Sequence, residues 1–158
     1  MMRARWFIAL ALGLWLAALG RDRLDLWIAK TILPPLAVET SVEVLDRDGD
    51  LLRAYTVADG RWRLGLPPDK VDQGYLRMLL AYEDKRFYQH SGVDPRSMTR
   101  AVLQAVWNGR VVSGGSTLTM QVARLLEEGT TGEVGGKLRQ MRVALALERR
   151  LSKDQILQ

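Results

Sequence analysis

The chain has 158 residues, the size of one ordinary domain with its own buried core. Apolar residues make up 47% and charged residues 26%, which excludes a disordered chain and a collagen-like or repeat polymer. Lys and Arg number 23 against 18 Asp and Glu, and the net charge of +5 favours anionic partners: nucleic acid, an acidic membrane surface or phosphate-bearing substrates. The absence of cysteine excludes a disulfide framework and a thiol nucleophile, and a single histidine, His90, excludes a His-rich metal cluster. Catalysis therefore falls to carboxylates, amides, hydroxyls and basic groups.

Arg3 and Arg5 precede Trp6–Gly20, fifteen residues without a charge. That is short of the about 20 apolar residues of a spanning helix. By length it suits a signal-peptide core, with Ala18-Leu19-Gly20 as a small-x-small cleavage site. Trp6, Trp15 and Trp27, with Arg21 and Arg23 able to snorkel, suit an uncleaved membrane anchor over residues 1–20. A buried helix of a soluble protein is the plain alternative. The arginines before the run favour an N-terminus inside and the rest of the chain outside the cytoplasm. Residues 21–40 read as a partly amphipathic juxtamembrane connector that breaks at Pro34-Pro35.

Val42, Val44 and Leu45 lead into Asp48-Gly49, and Leu51, Leu52, Tyr55 and Val57 follow, which predicts two short strands around an Asp-Gly turn. From Val71 the period turns helical. Leu76, Leu79, Leu80, Glu83 and Phe87 fall on one face, predicting a first helix with a partly desolvated Glu83 on its apolar stripe. Asp94-Pro95 caps a second helix, carrying Met98, Ala101, Val102, Ala105 and Val106, that runs to Gly109. The Ser113-Gly114-Gly115-Ser116 loop opens a third helix over Thr117–Glu128, and Gly129–Gly136 is a polar connection. A fourth helix, Lys137–Leu151, is expected to bury Leu138, Met141, Ala144 and Leu145. Ser152-Lys153-Asp154-Gln155 has the form of a capping box, so a fifth helix starts there. It stops after one turn, which points to a domain cut at its C-terminal end.

A carboxylate on an apolar stripe is partly desolvated, which raises its pKa and suits it to proton transfer, so Glu83 is the first candidate; a Glu that turns out to solvent or pairs with Lys85 or Arg86 is its bland reading. Asp84 is one position round the helix and is expected off that face, paired with a nearby basic residue. The second candidate is Ser113–Thr119 with Gln121. Glycines admit a ligand to the backbone, a helix N-terminus offers unpaired N–H groups to an anion, and Ser116, Thr117 and Arg124 add donors and a cation. An ordinary capped helix after a loop is the alternative; a P-loop is excluded because G-K-[ST] is missing. Basic residues from Lys137 to Lys153 are not interleaved with aromatics, which argues against nucleic-acid binding.

Taken together, these segments resemble glycosyltransferase family 51, the peptidoglycan polymerase domain of class A penicillin-binding proteins. Residues Glu83 to Gly92 match its E-D-x-x-F-x-x-H-x-G motif through Glu83, Asp84, Phe87, His90 and Gly92. Gly114 to Gln121 match G-x-S-T-x-T-x-Q, and Ser152 to Leu157 resemble the opening of S-K-x-x-I-L-x-x-Y-L-N. Asp46 to Gly49, Arg61 to Leu64 and Thr119 to Arg124 resemble the penicillin-binding protein 1C branch. The third motif, R-K-x-x-E, departs: Gly136 stands for its arginine and Gln140 for its glutamate, while Arg124 stands where many members have lysine.

The resemblance implies a mainly α, lysozyme-like glycosyltransferase domain over 41–158, with a small N-terminal β-hairpin and one preceding membrane-anchor helix. It implies polymerisation of lipid II into glycan strands with inversion and release of undecaprenyl pyrophosphate. Glu83 would be the catalytic base, and Asp84, Phe87, His90, Ser116, Thr117, Gln121, Arg124, Lys137 and Gln140 would bind substrate. No cofactor and no resident metal are implied, and divalent-metal assistance stays open. The implied partners are lipid II, the growing glycan chain, the cytoplasmic membrane and other cell-wall synthesis proteins, with the catalytic part on the periplasmic side of a bacterial inner membrane. Two readings compete: a lysozyme-like hydrolase, which needs a second carboxylate across the glycosidic bond, and a non-catalytic membrane-bound fragment.

Overall fold

The computed structural model describes residues 2–111, 113–127 and 134–158. It is mainly helical with one two-stranded sheet, and it divides into two compact units, Met1–Ile32 and Leu33–Gln158. The first unit carries helix α1, Met2–Ala29. This helix runs past the apolar segment expected at 1–20, so the first part of the expected connector is helical too. Trp6, Phe7, Ile8, Leu10 and Leu14 are all solvent-exposed. Among the described residues no helix is long and apolar enough to cross a membrane.

In the second unit, strands β1 (Glu43–Leu45) and β2 (Leu51–Ala54) pair antiparallel, with Val44 opposite Arg53 and an irregularity between Val44 and Leu45. The Asp46 side chain closes the turn by accepting from the backbone N–H of Asp48 and Asp50, both at 2.9 Å, with Gly49 at φ +90°. The two short strands expected around the Asp-Gly turn are therefore present.

Helix α2 (Gln73–Glu83) starts on Asp72, whose carboxylate accepts from Tyr75 N. Its residues are exposed or half-buried, Glu83 among the exposed. The predicted continuous stripe from Leu76 to Phe87 does not form, because Asp84 leaves helical geometry at φ −155°. Phe87 instead opens a separate 3₁₀ turn, Phe87–Gln89, and is driven into the interior at 1% exposure. Helix α3 (Pro95–Asn108) is capped by Asp94 at its start and by Gly109, in the left-handed region, at its end. Met98, Ala101 and Ala105 form its half-buried face, and Val102 and Val106 are exposed.

Helix α4 (Leu118–Leu126) is capped by Thr117 and packs on α5 (Val134–Glu148). The core forms where Met120 and Ala123 of α4 meet Val143, Ala144 and Leu147 of α5. Two alanines at this contact let the helix axes approach closely. Of the face predicted for α5, Ala144 is buried, Met141 and Leu145 are half-buried, and Leu138 is exposed. The buried face is turned toward Gln140, Val143 and Leu147, the residues that meet α4 and the loop before it. Helix α6 (Lys153–Leu157) has the predicted capping box, reciprocal between Ser152 and Gln155. The Gly129–Gly136 connection lies largely outside the described residues, and its end is the first turn of α5.

Candidate functional site

Glu83 sits at the C-terminal end of α2 and reaches toward α4, where Gln121 Nε2 donates to its Oε2 at 2.9 Å. Its exposure corrects the expectation of a desolvated carboxylate: with Phe87 off the helix, the apolar neighbour that would have covered Glu83 lies elsewhere. The buried carboxylate is the adjacent Asp84. Asp84 accepts from His90 Nε2 at 2.9 Å and from the backbone N–H of Leu118 at 2.9 Å. The basic partner expected for it is therefore His90. Its charge also sits on an otherwise unpaired N–H at the start of α4, where the helix dipole favours an anion. The His90 ring stands edge-on to Phe87, at 6.3 Å between centroids.

Thr117 ties the same helix start to the loop after His90, donating from Oγ1 to the Gly92 carbonyl. Gly92 has φ +90°, and a Cβ there would lie 2.6 Å from the Ala144 carbonyl oxygen, so only glycine lets this loop rest on α5. The bonds through Asp84 and Thr117 thereby fix the end of α2, the Phe87 turn and the start of α4 as one piece.

Ser116, Gln121, Arg124, Lys137 and Gln140 line a pocket of about 240 Å³. Lys137 Nζ donates to Ser116 Oγ at 2.6 Å and lies 3.4 Å from Gln140 Oε1. Burial, and then the Arg124 cation nearby, push the Lys137 amine below the ordinary lysine value. The second of these causes sets two cations, Arg124 and Lys137, side by side in one pocket. Gln140 is buried and offers an amide where a charged side chain would face the lysine.

Glu83 itself lines a different, larger cleft of about 570 Å³, bounded by α3 residues Ser97, Arg100 and Gln104 and by Arg86 and Ser113. Arg86 Nε lies 3.2 Å from the buried Asp94 carboxylate. Among the predicted residues, Glu83, Asp84, Ser116 and Thr117 border this cleft, Gln121, Arg124, Lys137 and Gln140 border the smaller pocket with Ser116, and Phe87 and His90 are buried and line neither. Among the described residues no group of acidic, histidine or cysteine side chains is arranged to hold a metal ion.

A family model described as Transglycosylase matches residues 48–158. The chain belongs to the transglycosylase family. This transglycosylase chain is 46% identical to penicillin-binding protein 1C of Escherichia coli over 144 residues, 91% of the chain and 18% of that protein. It is 29% identical to penicillin-binding protein 1A of Escherichia coli over 80% of the chain and 14% of the relative. With penicillin-binding protein 1B of Vibrio cholerae it shares 41% identity over 61% of the chain and 12% of the relative. The transglycosylase chain thus spans less than a fifth of the length of these curated relatives.

In the transglycosylase region, Tyr82, Ser97, Arg100 and Gln104 are cleft residues that motif reading missed. The signal was present as a polar row, Ser97, Arg100 and Gln104, spaced by three and four residues along one face of α3. It was hidden by the apolar residues that share the helix.

Proposed function

We propose that this chain forms the polymerising site of a peptidoglycan glycosyltransferase, which joins lipid II units into glycan strands with inversion and release of undecaprenyl pyrophosphate. The observation that carries the reading is Glu83 lining the large cleft while hydrogen-bonded to Gln121, which lines the neighbouring pocket with Arg124 and Lys137. Glu83 takes the proton from the acceptor sugar's 4-hydroxyl as that oxygen attacks C1 of the donor from the face opposite the leaving group. The departing pyrophosphate gathers negative charge, and Arg124, Lys137 and the Ser116 hydroxyl supply cation and donors where that charge develops, while Thr117, its hydroxyl spent on the Gly92 carbonyl, holds the start of α4 in place. Glu83 is exposed in the free protein; a bulky lipid-linked sugar in the cleft removes water from it. Asp84 and His90 serve this site by holding α4 in place, and Phe87 by filling the space beneath the loop.

A retaining hydrolase would place a second free carboxylate about 5 Å from the first. Asp84 is adjacent in sequence but is engaged by His90 and Leu118 N, which argues for transfer rather than hydrolysis. The mainly helical domain with its small hairpin is consistent with a lysozyme-like fold. The charge-free run from Trp6 to Gly20, with arginines at each end, supports a single anchor in the cytoplasmic membrane and a periplasmic catalytic part, close to a lipid-borne substrate. Recovery of the full-length protein in the soluble fraction after gentle lysis would overturn the anchor.

Glu83→Gln tests the chemistry. It keeps shape and hydrogen-bonding capacity but cannot accept a proton at neutral pH. Polymerisation of lipid II by the full-length protein should fall by at least about 10²-fold with the helical circular dichroism unchanged. Near-normal strand formation by Glu83→Gln would show that another group is the base.

A further inference from the structure

Glu148, the last residue of α5, takes no part in the chemistry proposed above, yet its side chain is only 6% exposed. Its Oε1 accepts from Thr119 Oγ1 of α4 at 2.6 Å and also from Lys153 Nζ, at the first position of α6. Lys153 in turn places its ammonium over the Phe87 ring, 4.3 Å from the centroid. One buried carboxylate thus touches α4 and α6 directly and the turn after Glu83 at one remove.

Stability alone is a weak reason for this arrangement, because a buried ion pair is often matched by well-packed apolar side chains. Direction is what the carboxylate adds. It receives a hydroxyl and an ammonium on one oxygen and so fixes both donors in orientation, which apolar contact does not. Thr119 is fully buried, and Gln121 follows it by two positions on α4, about 200° around the helix at 3.6 residues per turn. Anchoring Thr119 on the inner face therefore sets the roll of α4 that points Gln121 outward at Glu83 Oε2. At the other end, Phe87 follows Glu83 by one helical turn's worth of chain, and Lys153 presses on its ring. The two sides of the Glu83–Gln121 hydrogen bond are held from the same carboxylate.

We infer that Glu148 is a positioning residue, which aims Gln121 at Glu83 through Thr119 and steadies the Glu83 segment through Lys153 and Phe87. The inference rests on Glu83 being the base and adds how that base is aimed. Glu148 never touches substrate. Losing it misaligns the base without emptying the anion pocket, so turnover suffers and substrate affinity does not.

The test is a pair of double-mutant cycles in the full-length protein, with lipid II polymerisation as the assay. Thr119→Val removes only the hydroxyl that ties α4, and Glu148→Ala removes the carboxylate. Each should lower kcat about tenfold with KM little changed, as a small misplacement of a catalytic group does. In a Gln121→Ala background each should lower it by less than about twofold, because the group they aim is gone. Equal losses in both backgrounds, or a loss of thermal stability with kcat intact, would overturn the inference. If Glu148→Ala does not fold, the Thr119→Val cycle decides by itself. Glu83→Gln in the same assay keeps the two readings apart: activity there removes the base, while an inactive Glu83→Gln beside additive cycles removes only Glu148's role.

Discussion

Gln121 and Glu83, 38 positions apart in sequence, are joined by a 2.9 Å hydrogen bond from the Gln121 amide to Glu83 Oε2. A neutral donor orients the carboxylate without neutralising it, which a lysine or arginine at the same place would do. Among the described residues the bond engages only Oε2, which leaves Oε1 to meet a hydroxyl. Gln121→Ala should therefore lower kcat for lipid II polymerisation about tenfold while the protein stays folded. Steady-state kinetics beside circular dichroism checks this, and a variant with wild-type kcat would show that Glu83 needs no guide.

Gly92 is the tightest point of the fold around the site. A side chain there meets both a positive φ of 90° and the Ala144 carbonyl at 2.6 Å, and backbone on both sides has little room to give. Gly92→Ala should destabilise the domain by at least about 2 kcal/mol, the scale of a residue forced into a disfavoured backbone region. The same loop receives the Thr117 hydroxyl, so the start of α4 should loosen with it. A denaturation midpoint equal to that of the unaltered protein would mean that the loop lifts from α5 without cost.

Asp94 gives a pH dependence with a definite sign. Burial pushes its carboxyl up, but the Ser97 hydroxyl, the Arg96 N–H and the Arg86 cation outweigh that and hold it below the ordinary aspartate value. The folded state therefore binds the proton less readily than the unfolded chain. Its contribution is fully present above the unfolded value of about 4 and is lost as pH falls through the lower folded value. Removing the charge by Asp94→Asn should flatten this acid-side decline, read from unfolding midpoints across the acid range. An identical decline in the variant would assign the effect to other carboxylates.

The hairpin, the caps at Asp94 and Ser152 and the glycine loop before α4 were legible in the sequence because local chemistry decides them. Glu83, Thr117 and Gln121 stand out in the sequence as candidates, and Lys137 joins them only through the family resemblance. Burial could not be read from the sequence. Glu83, on the apolar stripe that helical spacing draws, is exposed, while Asp84, expected to pair with a nearby basic residue, is the buried anion at the start of α4. Helical periodicity assumes that the helix continues, and Asp84 ends it; from there Phe87 follows a different path to the same core. Leu138 was misplaced for a related reason. The buried face of α5 is selected by where Ala144 and Leu147 permit contact with α4, a tertiary choice invisible in the local pattern. Glu148 carried no sequence signal, since its partners Thr119 and Lys153 come from separate motifs.

Lys137 supplies the sharpest electrostatic prediction. Burial, followed by the Arg124 cation, holds its amine below the ordinary lysine value of about 10.4. A pyrophosphate in the pocket formed with Ser116, Gln121 and Gln140 would bring negative charge beside the ammonium and raise that value again. Proton binding and anion binding are then linked, so affinity for inorganic pyrophosphate should fall as pH rises through the lysine's depressed value, below the pH at which an ordinary lysine titrates. Arg124→Ala removes one of the two causes of the depression. Affinity at neutral pH should weaken because a cation is lost, yet the alkaline fall-off should move to higher pH. Lys137→Met should abolish that fall-off while keeping the side chain's length. Calorimetric titration of pyrophosphate into the full-length protein across the alkaline range reads all three. If Arg124→Ala leaves the fall-off in place or moves it to lower pH, Arg124 and Lys137 do not act on one anion, and the pocket is not where the leaving group is held.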